Sequence, residues 1–101
     1  MRAPIGLWAV LVLSGCDKHE PHTHHVAIRD MQFVPADLSV SVGDTIVWTN
    51  EDIVPHTVTA AGFDSTAIES KQQWRHVVAV TGDYSYVCSF HPTMHGTITA
   101  R

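Results

Sequence analysis

Only two cysteines occur in the 101 residues, Cys16 and Cys88. Their surroundings commit them to different chemistry, so no disulfide is expected. No apolar run reaches the about 20 residues that a helix needs to cross a bilayer. Charge is sparse, at 16% of residues with a formal net charge of −4, and it is scattered rather than gathered into blocks. Nucleic acid is therefore excluded as an expected partner, and the mild acidity offers only solubility and some steering toward a basic surface. No internal repeat or low-complexity tract interrupts the chain. What is present in quantity is apolar side chain, 45% of residues, enough for the core of one small domain with little to spare.

The start of the chain reads as an address. Met1-Arg2 is positive, Ile5 to Leu13 is apolar, and Leu13-Ser14-Gly15 brings small residues to Cys16. The pattern resembles a bacterial lipoprotein signal, which implies cleavage of residues 1–15 and a lipid on the Cys16 thiol; Asp17 then resembles an inner-membrane retention signal. Residues 16–25 are polar, with Pro21 and no apolar periodicity, and are expected to be a tether. Its four histidines, His19, His22, His24 and His25, fit either a metal-collecting tract or a solvated spacer, and both readings stay open.

From residue 26 onward apolar and polar residues alternate at the strand period, with Gly, Asp and Asn between runs. The pattern predicts an all-β, Greek-key sandwich of about seven or eight strands over 26–101. Strands are expected near 26–32, 38–42, 45–50, 56–60, 73–80, 83–88 and 96–101, with a looser stretch at 61–70. Trp48 and Trp74 read as core fillers, and the spacing of Tyr84 and Tyr86 places them on one face of a strand.

The chemistry is concentrated in Cys88-Ser89-Phe90-His91-Pro92-Thr93-Met94-His95-Gly96, with Pro55-His56 far upstream. A thiolate, two imidazoles and a thioether form the His₂Cys set with a weak axial Met that suits copper in both oxidation states. Cys88 ends an expected strand and His91 and Met94 follow at three-residue intervals in a turn-rich loop. His56 has to be brought in from another strand. Cys88 alone would read as a small buried hydrophobe, and His95 as a surface histidine.

These residues resemble the cupredoxins, in particular the amicyanin and plastocyanin-like branch. Met31-Gln32-Phe33, Leu38 to Thr45, Val47-Trp48-Thr49-Asn50 and Pro55-His56-Thr57-Val58 are similar to the amicyanin pattern in the same order, as is the spacing from Cys88 through His91 to Met94. The resemblance implies a type 1 copper site with His56, Cys88 and His91 as strong ligands and Met94 as the long axial one, with Asn50 tying the two ligand loops together. Phe90 and His95 depart from the pattern, which has proline and a basic residue there. Pro92 has no amide hydrogen and cannot donate to the Cys88 sulfur, which tunes the potential. Ile53, Pro55, Phe90 and Pro92 around the histidines are candidates for a docking patch, with simple burial equally open for Phe90.

With all ligand positions filled by protein, no substrate position remains and an enzyme is not expected. The expected function is carriage of single electrons by a monomer in the periplasm or at the cell surface, lipid-anchored to the membrane, with a c-type cytochrome or a dehydrogenase as partner classes by resemblance. Two other readings remain: a copper carrier or storage protein, and a structural zinc site of His56, Cys88, His91 and His95. A thiol hydrolase ranks last, because so small a domain offers no evident cleft.

Overall fold

The computed structural model describes residues 19–101; the signal segment 1–15, Cys16 and Asp17 lie outside the described residues. Seven strands, β1 (Thr23–Arg29), β2 (Gln32–Val34), β3 (Asp37–Val40), β4 (Thr45–Asn50), β5 (Gln73–Val77), β6 (Gly82–Cys88) and β7 (His91–Ala100), form two sheets. One has the order β2-β1-β4-β5 and the other β3-β7-β6. The all-β sandwich expected from the alternating pattern is thus the fold.

Several boundaries differ from expectation, each for a reason of pairing. β1 begins at Thr23, inside the expected tether, because the parallel ladder with β4 runs from Thr23↔Thr45 to Ile28↔Asn50. Backbone pairing does not need an apolar side chain, so the polar Thr23-His24-His25 can join the sheet. The expected strand 26–32 is broken by Asp30 and Met31, whose φ angles of 53° and 60° make the two-residue turn that returns the chain as β2. Residues 56–60 make isolated bridges, His56↔Ile68, Thr59↔Asp64 and Thr59↔Val87, rather than a ladder. β7 starts five residues earlier than expected, because it pairs antiparallel with β6 and, over its C-terminal half, parallel with β3.

The sheets meet over an aromatic centre. Trp48 of β4 is fully buried and donates its indole N–H to the Tyr86 hydroxyl of β6 at 3.2 Å, across the sandwich. The two rings meet edge to face at 5.6 Å, and Phe33 adds a second edge contact to Tyr86 at 4.7 Å. Tyr86 lies over its ladder partner Gly96, where an added Cβ would come within 2.5 Å of the ring. A glycine at 96 is therefore needed for this packing. Along β7, Met94, Gly96, Ile98 and Ala100 are buried in alternation, as a half-buried strand requires. Trp74 packs on Trp48 with its ring tilted by 35° at 5.5 Å, and Tyr84 packs against the same core.

Burial raises the Tyr86 phenol to about 12, with the Trp48 hydrogen bond opposing and Asp37 adding to the shift. An unfolded tyrosine ionises near about 10, so the unfolded state loses its proton first as pH rises. The stability held by the neutral phenol is complete below pH ~10 and is lost progressively up to about 12, by roughly 3 kcal/mol. Denaturant titrations at pH 9 and pH 12 measure this loss, and Tyr86→Phe should remove that part of the alkaline dependence.

Candidate metal centre

Three of the expected ligands converge at one end of the sandwich. Cys88, the last residue of β6, is fully buried, and a two-residue turn, Ser89-Phe90, returns the chain so that His91 opens β7 opposite it. The expected turn-rich ligand loop is a tight hairpin, with its register shifted between Val87 and Cys88. Such an irregularity re-aims side chains at a sheet end. His56 arrives from the segment after β4 and is fixed through paired backbone bonds with Ile68, His56 N–H to Ile68 O at 3.2 Å and Ile68 N–H to His56 O at 2.7 Å.

The Nδ1 atoms of both histidines point at the thiol: His56 Nδ1 and His91 Nδ1 each stand 3.6 Å from Cys88 Sγ. The donor atoms of the three residues all lie within 4.8 Å of one another. Donors sharing one ion, with sulfur at about 2.3 Å and nitrogen at about 2.0 Å, stand roughly 3.5–3.8 Å apart for tetrahedral to trigonal angles. The spacing therefore fits a single soft metal ion held by all three. Met94 is buried in the same apolar cluster as Cys88, on β7. His95 is exposed beside Val87 and stands outside the three-residue cluster.

A carboxylate not singled out from the sequence holds the first imidazole in place. His56 Nε2 lies 2.8 Å from Asp52 Oδ2. A carboxylate can only accept, so Nε2 carries the proton and the Nδ1 lone pair is left facing the thiol. Asp52 also accepts the Asp30 and Met31 amides, at 2.8 and 3.1 Å, and so joins the β1–β2 turn to the site. Burial works against its ionisation, but the Met31 amide, the His56 ring and the Asp30 amide outweigh that and hold the carboxyl below its ordinary range. The only hint of Asp52 in the sequence is an acid four residues before His56.

The tie between ligand segments expected of Asn50 is made by a different residue. Asn50 is buried and donates to Val54 O and Ile68 O, both at 2.9 Å, while accepting the Asp52 amide at 2.9 Å, all on the His56 side. Thr57 makes the crossing. Its amide donates to Cys88 Sγ at 3.3 Å, and its hydroxyl lies 3.0 Å from Ser89 Oγ and accepts the Ser89 amide at 2.8 Å. Thr57 takes this role because it directly follows His56 and faces the hairpin, whereas Asn50 caps its own loop. Around the site Ile53 is 90% exposed and Phe90 50% exposed, so burial does not account for Phe90; Pro92 is exposed and Pro55 half-buried.

A two-sheet β-sandwich closed at one end by a His-Cys-His cluster, with His56 and Cys88 buried and His91 half-buried, defines a small domain with a soft-metal centre. The chain belongs to the cupredoxin-like domain family, whose model matches residues 3–100. It is similar to amicyanin of Paracoccus denitrificans, 30% identical over 83 residues that cover 75% of this chain and 63% of that protein. The methylamine utilization protein MauL of Methylophilus methylotrophus is 26% identical over an alignment of 121 residues, covering 97% of this chain and 70% of the relative. A solved amicyanin structure, the Cu(I) form of a methionine-to-alanine variant, superposes with a TM-score of 0.75 at 29% identity, covering 78% of this chain and 82% of that one. The chain spans 61–63% of the length of the Paracoccus amicyanins it matches.

Proposed function

We propose that this protein is a type 1 copper protein that carries single electrons between redox partners, as a carrier rather than an enzyme. The observation that supports it most is the pair of Nδ1 atoms at 3.6 Å from one fully buried thiol. His56, Cys88 and His91 would hold the ion most strongly, with Met94 as a weaker fourth donor. Copper bound by these residues would supply one-electron chemistry through its two oxidation states.

The chain's own residues do the rest. Asp52 keeps His56 in the tautomer that presents Nδ1, and the Thr57 amide donates to the Cys88 sulfur while Pro92 has no amide hydrogen to offer. Asn50 fixes the His56 segment and Thr57 ties that segment to the Cys88 hairpin, so little has to move when charge changes. Burial of Cys88 excludes water from the thiolate. His91, half-buried between exposed Phe90 and Pro92, offers the edge through which an electron passes, and Ile53, Pro55, Phe90 and Pro92 form the docking patch for a redox protein. The partner is a redox protein, a c-type cytochrome or a dehydrogenase by resemblance, and one similar protein is named for methylamine utilization. Residues 1–15 act as a lipoprotein signal and Cys16 carries the lipid, which places residues 26–101 in the periplasm or at the cell surface as a membrane-anchored domain.

The test is the visible absorption of the purified chain loaded with one equivalent of Cu(II) and then reduced with ascorbate. The expected result is an intense blue thiolate-to-copper band that bleaches on reduction. A folded protein that binds copper without this band would sink the proposal in favour of storage, and preference for zinc with no colour would favour a structural ion.

A further inference from the structure

A second cluster of donors lies at the opposite end of the sandwich. Asp44 sits just before β4, and the six residues from there to Asn50 put it about 20 Å from the ligand end at the strand rise. Its side chain is 2% exposed yet surrounded by histidines. Oδ1 accepts the His22 amide at 2.9 Å and stands 2.7 Å from His19 Nε2. Oδ2 accepts the Ser41 amide at 3.0 Å and stands 2.8 Å from His24 Nε2. The parallel ladder fixes this arrangement, since Thr23 pairs with Thr45 and the Thr45 amide donates to His22 O at 2.9 Å.

We propose that His19, His22 and Asp44 form a second metal site, for a divalent ion of the zinc type, with His24 orienting the carboxylate. Donor atoms of the three all lie within 4.8 Å of one another. Ligands sharing a zinc ion at about 2.0–2.2 Å stand roughly 3.3 Å apart, so the exposed His19 ring gives up its 2.7 Å contact with Oδ1 and the exposed His22 ring turns to join it around the ion. A hydrogen-bonded clamp would account for His19 and His24. It does not account for the His22 ring, which among the described residues makes no hydrogen bond and lies 5.2 Å from the His19 ring. The Ser41 amide on Oδ2 and the His22 amide on Oδ1 fix the orientation of the Asp44 carboxylate within the cluster. Arg101 lines the same pocket. Its positive charge opposes a cation there, so the direct donor bonds have to outweigh it. One bound ion would cross-link the segment entering β1 to the turn before β4.

The experiment uses the full chain with its Cys88 site filled by one equivalent of Cu(II), followed by calorimetric titration with Zn(II). The expected result is one further equivalent of zinc with the blue absorption unchanged, and at least tenfold weaker binding in His19→Gln/His22→Gln, whose substitutions are exposed and leave the core intact. Absence of a further equivalent, or equal affinity in the double variant, overturns the site. Failure to form the blue band is a separate result that concerns Cys88, and the zinc difference between the chain and the double variant is then read on protein without copper.

Discussion

Cys88→Ser is expected to abolish the visible band completely while leaving the sandwich folded. The thiolate is the one strong soft donor among the converging residues, and the band arises from its bond to copper. A serine hydroxyl fills nearly the same buried space but is a hard donor and stays protonated at neutral pH. His56 and His91 remain, and two imidazoles alone bind Cu(II) weakly and without blue colour. The stabilisation linked to copper disappears as well, about 4 kcal/mol at a free copper concentration a thousandfold above the dissociation constant. Absorption spectra and thermal unfolding with and without Cu(II) measure both effects. A variant that stays blue would mean that the colour arises elsewhere in the chain.

The second large effect falls on the fold. Trp48→Ala removes the largest fully buried side chain and leaves the Tyr86 hydroxyl without its donor in the core. Truncation of a buried aromatic of this size costs about 3–5 kcal/mol, against a total of about 5–15 kcal/mol for a typical domain. The variant is therefore expected to be largely unfolded without copper at modest temperature, and partly rescued with it, since the ion binds only the folded form. Guanidinium titration of the two forms checks this. A loss below about 1 kcal/mol would show that Trp74 or Phe33 moves in to fill the space.

Much of the site was legible because it is local. Cys88, His91 and Met94 lie within seven residues, and their spacing survives whatever the rest of the chain does. His56 could be named from Pro55 and the strand before it. Asp52 and Thr57 could not, because their roles depend on which imidazole nitrogen faces the thiol and which segment faces the hairpin, and both are decided by tertiary packing. The strands whose alternation is backed by a ladder, such as Thr45–Asn50, were read accurately. Residues 56–60 share the apolar pattern but find only single bridges, and Thr23–His25 lack it yet join a ladder; pattern records burial, whereas a strand is made by a partner.

The pairing of β3 with β7 bears on how the molecule comes into being. Asp37 meets Thr97 and Val40 meets Ala100, sixty residues apart, so the second sheet has no middle strand until residues 91–100 are available. Closing loops of this length early is entropically costly, and folds dominated by such contacts form slowly. The same final strand brings His91 and Met94. A chain in which residues 91–100 have not yet joined the fold thus has neither a finished second sheet nor a finished metal cradle, which keeps the ion out until that strand is in place.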